Sequence, residues 1–157
     1  MAIETVIQYL EQFGVADKVM EFSESSATVS LAAAAVGCEE GRIAKTLSFL
    51  VDEKAILIVA AGDVKIDNAK YKARFSTKAK MLSAEQLLTM VGHPIGGVCP
   101  FAVPEDVAVY LDDSLKRFPL VYPACGTANS AIGLTLKELE TCSRAKGWVD
   151  VCKLKDA

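Results

Sequence analysis

Ile43-Ala44-Lys45-Thr46-Leu47-Ser48-Phe49-Leu50-Val51 and Ala55-Ile56-Leu57-Ile58-Val59-Ala60-Ala61 are two apolar runs of strand length, joined by the polar tripeptide Asp52-Glu53-Lys54. That arrangement predicts a β-hairpin. The second run carries Ile56, Leu57, Ile58 and Val59 in succession with no polar alternation, so it reads as a strand buried on both faces. Lys45 then lies near one end of the first strand. A strand-end lysine ordinarily keeps its ammonium in solvent, but the neighbours of Lys45 are apolar, and a desolvated ammonium anchors a phosphate or a polarised carbonyl strongly.

Outward from the hairpin, Ile3, Val6, Ile7, Leu10 and Phe13 follow helical spacing, which predicts an amphipathic helix over residues 2–14 ended by Gly14. A second helix is expected from an N-cap at Thr28 to Gly37; its run of alanines at 32–35 has high helix propensity and small side chains suited to close packing. Asp67 reads as the cap of a helix to about Arg74, and Ser83 with Gln86 as a capping box for a helix ending at Gly92. Short strands are expected over 107–111, 120–122 and 131–134, a helix from Thr135, and a last strand over 148–152. Helices interspersed among hairpin-joined and crossover-joined strands make an α+β fold, a mixed sheet flanked by helices. With 157 residues, half of them apolar, and no repeat, linker or low-complexity segment, residues 1–157 read as one domain.

Gly92-His93-Pro94-Ile95-Gly96-Gly97-Val98-Cys99-Pro100-Phe101 follows the predicted capping-box helix. Glycine permits close approach to the main chain and proline removes donors, so the remaining N–H groups can point into one pocket; a plain connector has the same composition. His93 and Cys99 both lie in this loop, but the six-residue separation through a Gly/Pro turn gives no reason to expect thiol and imidazole to meet, and Cys99 reads better as a small hydrophobe lining the loop. The five cysteines (38, 99, 125, 142 and 152) are odd in number and lack a Cys-x-x-Cys pair, which suggests reduced thiols. With His93 the only histidine, no metal site and no cofactor is expected. Nucleotide-cofactor fingerprints and the Gly-x-Ser-x-Gly elbow are missing. Asp112 and Asp113 end a strand; Asp113 reads as a cap, and Asp112 stays open between cap and site.

The net charge of −3 gives no global field that would draw the chain to nucleic acid, so any such contact must be local, and DNA is not an expected partner. The one basic concentration is Lys65, Lys70, Lys72, Arg74, Lys78 and Lys80, diluted by Asp63 and Asp67; unless other residues point to a nucleic-acid substrate, it reads as a solvated helix face. No apolar run approaches the ~18 residues of a membrane span, and the first residues lack the pattern of a secretory signal, so a cytoplasmic protein without membrane association is expected.

In order and spacing, Thr28, Lys45-Thr46-Leu47, Ala61-Gly62-Asp63, Gly92-His93-Pro94, Gly96-Gly97-Val98-Cys99-Pro100-Phe101, Tyr110-Leu111-Asp112, Gly126 and Ile132-Gly133-Leu134-Thr135 resemble the YbaK/prolyl-tRNA-synthetase-associated domain family, over about residues 22–139. The resemblance implies a curled mixed sheet and hydrolysis of the ester that joins a wrong amino acid to the terminal adenosine of a tRNA. It implies Lys45 as the essential cation fixing the 3′-terminal nucleotide, and the Gly96, Gly97 and Val98 backbone as the oxyanion donors. Thr46, His93, Cys99, Pro100, Phe101, Asp112 and Gly126 would contribute to substrate binding, and Lys65, Lys70, Lys72 and Arg74 would touch the tRNA. Water, or the thiol of a cysteinyl substrate, would attack. Cysteine and alanine on proline tRNA both remain open as substrates, and Thr46 departs from the asparagine that tends to follow the lysine in the alanine-specific branch. A prolyl-tRNA synthetase is an implied partner. A module that holds aminoacyl-tRNA or a synthetase without turnover would present the same pocket.

Overall fold

The computed structural model describes residues 2–156. Along the chain run α1 (Ala2–Glu11), β1 (Val19–Glu21), α2 (Val29–Val36), β2 (Ile43–Val51), β3 (Lys54–Ala61), β4 (Val64–Ile66), α3 (Asn68–Phe75) and α4 (Ala84–Gln86), which continues as a π-helical turn over Leu87–Val91. There follow β5 (Ala108–Asp112), β6 (Leu120–Pro123), β7 (Ser130–Ile132), β8 (Leu134–Thr135), α5 (Leu136–Ser143), β9 (Gly147–Val149) and β10 (Cys152–Leu154). Six strands form a mixed, curled sheet in the order β8-β6-β2-β3-β5-β9; β1 pairs with β7, and β4 with β10, in two small antiparallel ribbons.

The β2–β3 hairpin forms as the sequence predicts and occupies the middle of that sheet, in register from Ala44 opposite Ala61 to Val51 opposite Lys54. Its turn is tighter than three polar residues suggest. Asp52 (φ 51°) and Glu53 (φ 64°) are both left-handed, the two-residue geometry that matches strand twist, and Lys54 already belongs to β3. From Leu57 to Ala61 every residue of β3 is fully buried, because β2 and β5 flank it and side chains cover both faces. A run of aromatic contacts, Phe49 to Tyr71 to Phe75 to Tyr110 with centroids 4.9–5.4 Å apart, ties β2, α3 and β5 together. The remaining core draws Val6 and Leu10 from α1, Val109 and Leu111 from β5, and Leu139 from α5.

The predicted caps are present. Thr28 accepts the Leu31 N–H, Asp67 accepts those of Ala69 and Lys70, Ser83 and Gln86 close a reciprocal box, and α2 and α4 run out into left-handed Gly37 and Gly92. The first helix stops at Glu11 and reaches Gly14 through a turn. Thr135 is an N-cap, with Glu138 completing a second box, so α5 starts one residue later than predicted. Two predicted strands are each two strands. The 131–134 run divides at Gly133 because its halves have different partners, β7 lying against β1 and β8 against β6. The 148–152 run breaks because the Val151 N–H donates to the Asp112 carboxylate (3.0 Å) and its carbonyl accepts from Asp67 N–H (2.8 Å), turning the chain from β5 to β4. The three-residue strands β1 and β4 were too short for any periodicity to announce.

Gly62 links β3 to β4 where the carbonyl of Glu40 passes over it: a Cβ would strike that oxygen and lie 2.6 Å from Val29 Cγ1. Gly62→Ala is therefore expected to lower unfolding free energy by about 1–3 kcal/mol, measured by urea titration, with the loss concentrated in the packing of α2 on the sheet.

Candidate active site

Strand β2 meets β6 only at Ile43 opposite Tyr122 and Ala44 opposite Pro123. Further along the same edge, Leu50 N–H donates to Lys80 O (2.8 Å) and Leu82 N–H to Ser48 O (3.3 Å). In an antiparallel pair alternate residues turn their main chain away from the partner, so Thr46, between Ala44 and Ser48, faces outward into the gap between these two contacts. A cavity of about 230 Å³ opens there, lined by Thr28, the N-cap of α2, Ala32 of α2, Lys45 and Thr46 of β2, Gly96 and Val98 of the glycine loop, and Ser130 and Ala131 of β7. The Thr46 Oγ1 is buried without a hydrogen-bond partner among the described residues.

Lys45 is half-buried, and its ammonium donates to the carbonyl of Val64 on β4. Burial, and then the neighbouring Lys155, hold its pKa below the usual lysine value, while Cys152 and Asp63 oppose the shift. Across the pocket the chain turns at Pro94, whose carbonyl accepts the Gly97 N–H at 3.1 Å, with Gly96 left-handed at φ 89°. That bond occupies one of the three backbone donors singled out from the sequence. The N–H groups of Gly96 and Val98 make no hydrogen bond among the described residues. Gly97 is there for space: a Cβ would lie 2.7 Å from Thr127 Cα and 2.8 Å from the carbonyl carbon of Gly126.

A family model described as "Aminoacyl-tRNA editing domain" matches residues 23–142. The chain belongs to that family. It is 53% identical over 154 residues to an uncharacterized protein, YwhH, of Bacillus subtilis (strain 168), covering 98% of each chain. It is 27% identical over 132 residues to the "Putative Cys-tRNA(Pro)/Cys-tRNA(Cys) deacylase EbsC" of Enterococcus faecalis (strain ATCC 700802 / V583), covering 82% of this chain and 80% of that one. A crystal structure of "a putative trans-editing enzyme for prolyl tRNA synthetase" superposes with a TM-score of 0.87 and 31% identity over 97% of each chain. Among the described residues no helix is long and apolar enough to cross a membrane.

Within this editing domain the other residues singled out from the sequence fall into three groups. His93, Cys99, Pro100 and Phe101 are buried beneath the loop and do not line the cavity. Contrary to the sequence expectation, His93 and Cys99 do meet: Nε2 lies 3.5 Å from Sγ and 2.8 Å from the Phe101 carbonyl oxygen. A carbonyl only accepts, so Nε2 carries the proton and Nδ1 is a bare, buried acceptor with no partner among the described residues. Burial pushes the Cys99 thiol up to about 12 and the His93 imidazole below its usual value. A thiol so hard to ionise beside a neutral imidazole is a packed pair, not an activated nucleophile.

Asp112, also buried, accepts from Ser114 N–H (2.9 Å) and Val151 N–H (3.0 Å). The cap of the turn that follows is thus Asp112, and Asp113, read from the sequence as the cap, pairs instead with Lys116 at 2.9 Å. Gly126 (φ 93°) lies against Gly97 as part of the loop's floor. Of the basic residues, Lys70 is tied to Asp150 (3.0 Å) and the Cys152 carbonyl (3.1 Å), and Arg74 stacks over Phe75 and Tyr110 at 5.0 and 5.3 Å. Lys65 and Lys72 are exposed. The cavity walls contributed by 26–29, Ala32, Tyr122 and 130–131 were not identified as site residues from the sequence; apart from Tyr122 they are small or medium-sized residues, and they come from segments far apart in the chain.

Because the folded-state pKa of His93 is lowered, the unfolded chain takes up this proton first as pH falls through about 6.5, and the contribution of neutral His93 to stability is lost from there downward. Wild-type melting temperature should drop over that range, and His93→Gln should flatten the drop, as followed by thermal melts in a pH series.

Proposed function

We propose that residues 1–157 act as one free-standing editing deacylase that hydrolyses the ester of a mischarged aminoacyl-tRNA in trans, with cysteine or alanine on proline tRNA as the substrates. The observation that carries this reading is that Lys45, Gly96 and Val98 line one cavity and that the N–H groups of the latter two make no hydrogen bond among the described residues. The cavity's ~230 Å³ is below the ~300–1,000 Å³ of ordinary small-molecule sites, which suits a small aminoacyl group and works against a bulkier one.

The Gly96 and Val98 N–H groups would receive the carbonyl oxygen as it becomes an oxyanion, held in place before the reaction by the Pro94–Gly97 turn. Water adds to the carbonyl carbon; as the tetrahedral intermediate collapses, the bond to the ribose oxygen breaks, and that oxygen leaves with a proton as the hydroxyl of the terminal adenosine. With a cysteinyl substrate the substrate's own thiol could add instead. No protein nucleophile is required, since an aminoacyl ester is already activated. Lys45 would exchange the Val64 carbonyl for the 3′-terminal nucleotide, and Thr46, with its unpartnered hydroxyl, would face the aminoacyl group. His93, Cys99, Pro100, Phe101, Asp112 and Gly126 would act by fixing the loop and strand ends around the substrate. A prolyl-tRNA synthetase, which charges the tRNA, would be the natural supplier of substrate. Some of Lys65, Lys70, Lys72 and Arg74 would touch the tRNA, Lys65 and Lys72 being the ones not engaged within the protein.

Deacylation of a panel of mischarged tRNAs, with wild type beside Lys45→Ala, tests the proposal. Turnover of cysteinyl- or alanyl-tRNA(Pro) is expected, with the Lys45 variant folded and slower by about 10²–10³-fold, the scale of losing one preorganised electrostatic contact. Tight binding of aminoacyl-tRNA without turnover of any panel member would make the protein a binding module, and wild-type rates in Lys45→Ala would remove Lys45 from the chemistry.

A further inference from the structure

β4 and β10 pair outside the main sheet, and their register sets Lys65 directly opposite Lys153. Opposed side chains on such a ladder have Cβ atoms about 4.5–5.5 Å apart, and like charges there are destabilising. Both lysines are exposed, and neither makes an ion pair among the described residues. Lys155, just past the end of β10, is exposed and likewise unpaired; it lies close enough to Lys45 to depress that lysine's pKa, and its own N–H is held by the Asp63 carbonyl at 3.0 Å. The carboxylates around the ribbon have other partners, although Asp67 also feels the charge of Lys153. Asp63 is gripped by Arg117 at 2.9 and 2.6 Å, Asp67 caps α3, and Asp150 pairs with Lys70. Asp156, exposed after Lys155, is the remaining acid nearby in sequence. A chain of net charge −3 thus gathers, on and just beyond one short ribbon, three cations that make no ion pair among the described residues, and the hydrogen bond from Lys45 to Val64 joins that ribbon to a residue lining the cavity.

We propose that the β4–β10 ribbon, through Lys65, Lys153 and Lys155, holds the backbone phosphates of the RNA acceptor end beside the pocket. The inference rests on the editing reading: an ester at Gly96 and Val98 is the 3′ terminus of an RNA, so the phosphates nearest it must pass close to Lys45. The ribbon is the cationic surface that continues from Lys45. Its like-charge opposition, unfavourable in the protein alone, becomes favourable when an anionic strand lies across it. The site departs from the helix-face cluster read from the sequence, since Lys70 and Arg74 are engaged within the protein and Lys153 and Lys155 come from the far end of the chain.

The test compares wild type with the Lys65→Gln/Lys153→Gln double variant in two measurements: binding of uncharged tRNA across a salt series, and deacylation of mischarged tRNA and of the corresponding aminoacyl-adenosine, which has no phosphates. For the variant, tRNA affinity should fall about ten-fold or more at low salt, and the slope of log K against log salt should become shallower by about 1.4, two phosphates at about 0.7 each for single strands. KM for the charged tRNA should rise with kcat within about two-fold, while the adenosine ester reacts as with wild type. The melting temperature should hold or rise as the like-charge opposition is removed. Unchanged tRNA affinity and slope, or an equal loss on the phosphate-free ester, would overturn the proposal. So would an acidic peptide of matched charge that displaces the RNA. Ribbon-dependent tRNA binding without turnover of either ester would uphold the ribbon and refute the deacylase reading.

Discussion

Strand β2 is held along one flank for its whole length and along the other only in part, and the site exists because of that asymmetry. Antiparallel pairing with β3 fixes the position of each residue from Ala44 to Val51, while β6 departs after Ala44 and the 80–82 segment joins at Ser48 and Leu50. Between them the main chain at Thr46 faces a cavity instead of a strand. Buried backbone groups require partners, so a gap of this kind in an otherwise paired sheet is a place where an outside molecule can supply them. The helix above keeps the gap small. Ala32 and Ala33 are buried against Ile43, and side chains without reach let α2 approach closely enough to leave room for only a small group.

The opposite wall is rigid for a different reason. Gly97 sits against the Gly126–Thr127 backbone at a distance no side chain permits, its N–H closes the Pro94 turn, and beneath the loop the His93 ring is pinned to the Phe101 carbonyl. The imidazole and thiol that invite a nucleophilic mechanism in the sequence are spent on this foundation. What the loop brings to the cavity is Gly96 and Val98, whose N–H groups make no hydrogen bond among the described residues. Donors fixed before a reaction need no reorganisation during it, which is why the proposed oxyanion role suits this loop.

The architecture was largely legible because its signals are local: the hairpin's apolar runs, the capping boxes at Ser83 and Thr135, and the left-handed ends at Gly37 and Gly92 each depend on a few adjacent residues. The failures are non-local. Nothing within 131–134 shows that its two halves serve different partners, and the break at Val151 depends on Asp112, 39 residues away in sequence. The proximity of His93 and Cys99 was missed because a Gly/Pro loop gives no fixed geometry to reason from. Lys45, Thr46 and the glycine loop could be named as site candidates, whereas the α2 and 130–131 walls could not, for their residues are chemically plain and acquire a role only through packing.

Electrostatics explains why the Lys45 contact is suited to exchange. Its ammonium is half-buried, next to Lys155, and donates one of its three N–H bonds to a neutral carbonyl, with the Asp63 carboxylate only partly offsetting its charge. An anionic oxygen offered in place of the Val64 carbonyl would bring a counter-charge as well as an acceptor. The same burial that lowers the lysine's pKa also weakens competition from water for such a partner. A global positive charge is unnecessary under these conditions: the overall acidity of the chain discourages indiscriminate binding to polyanions, and Lys155, which makes no ion pair among the described residues, lies close to the half-buried Lys45.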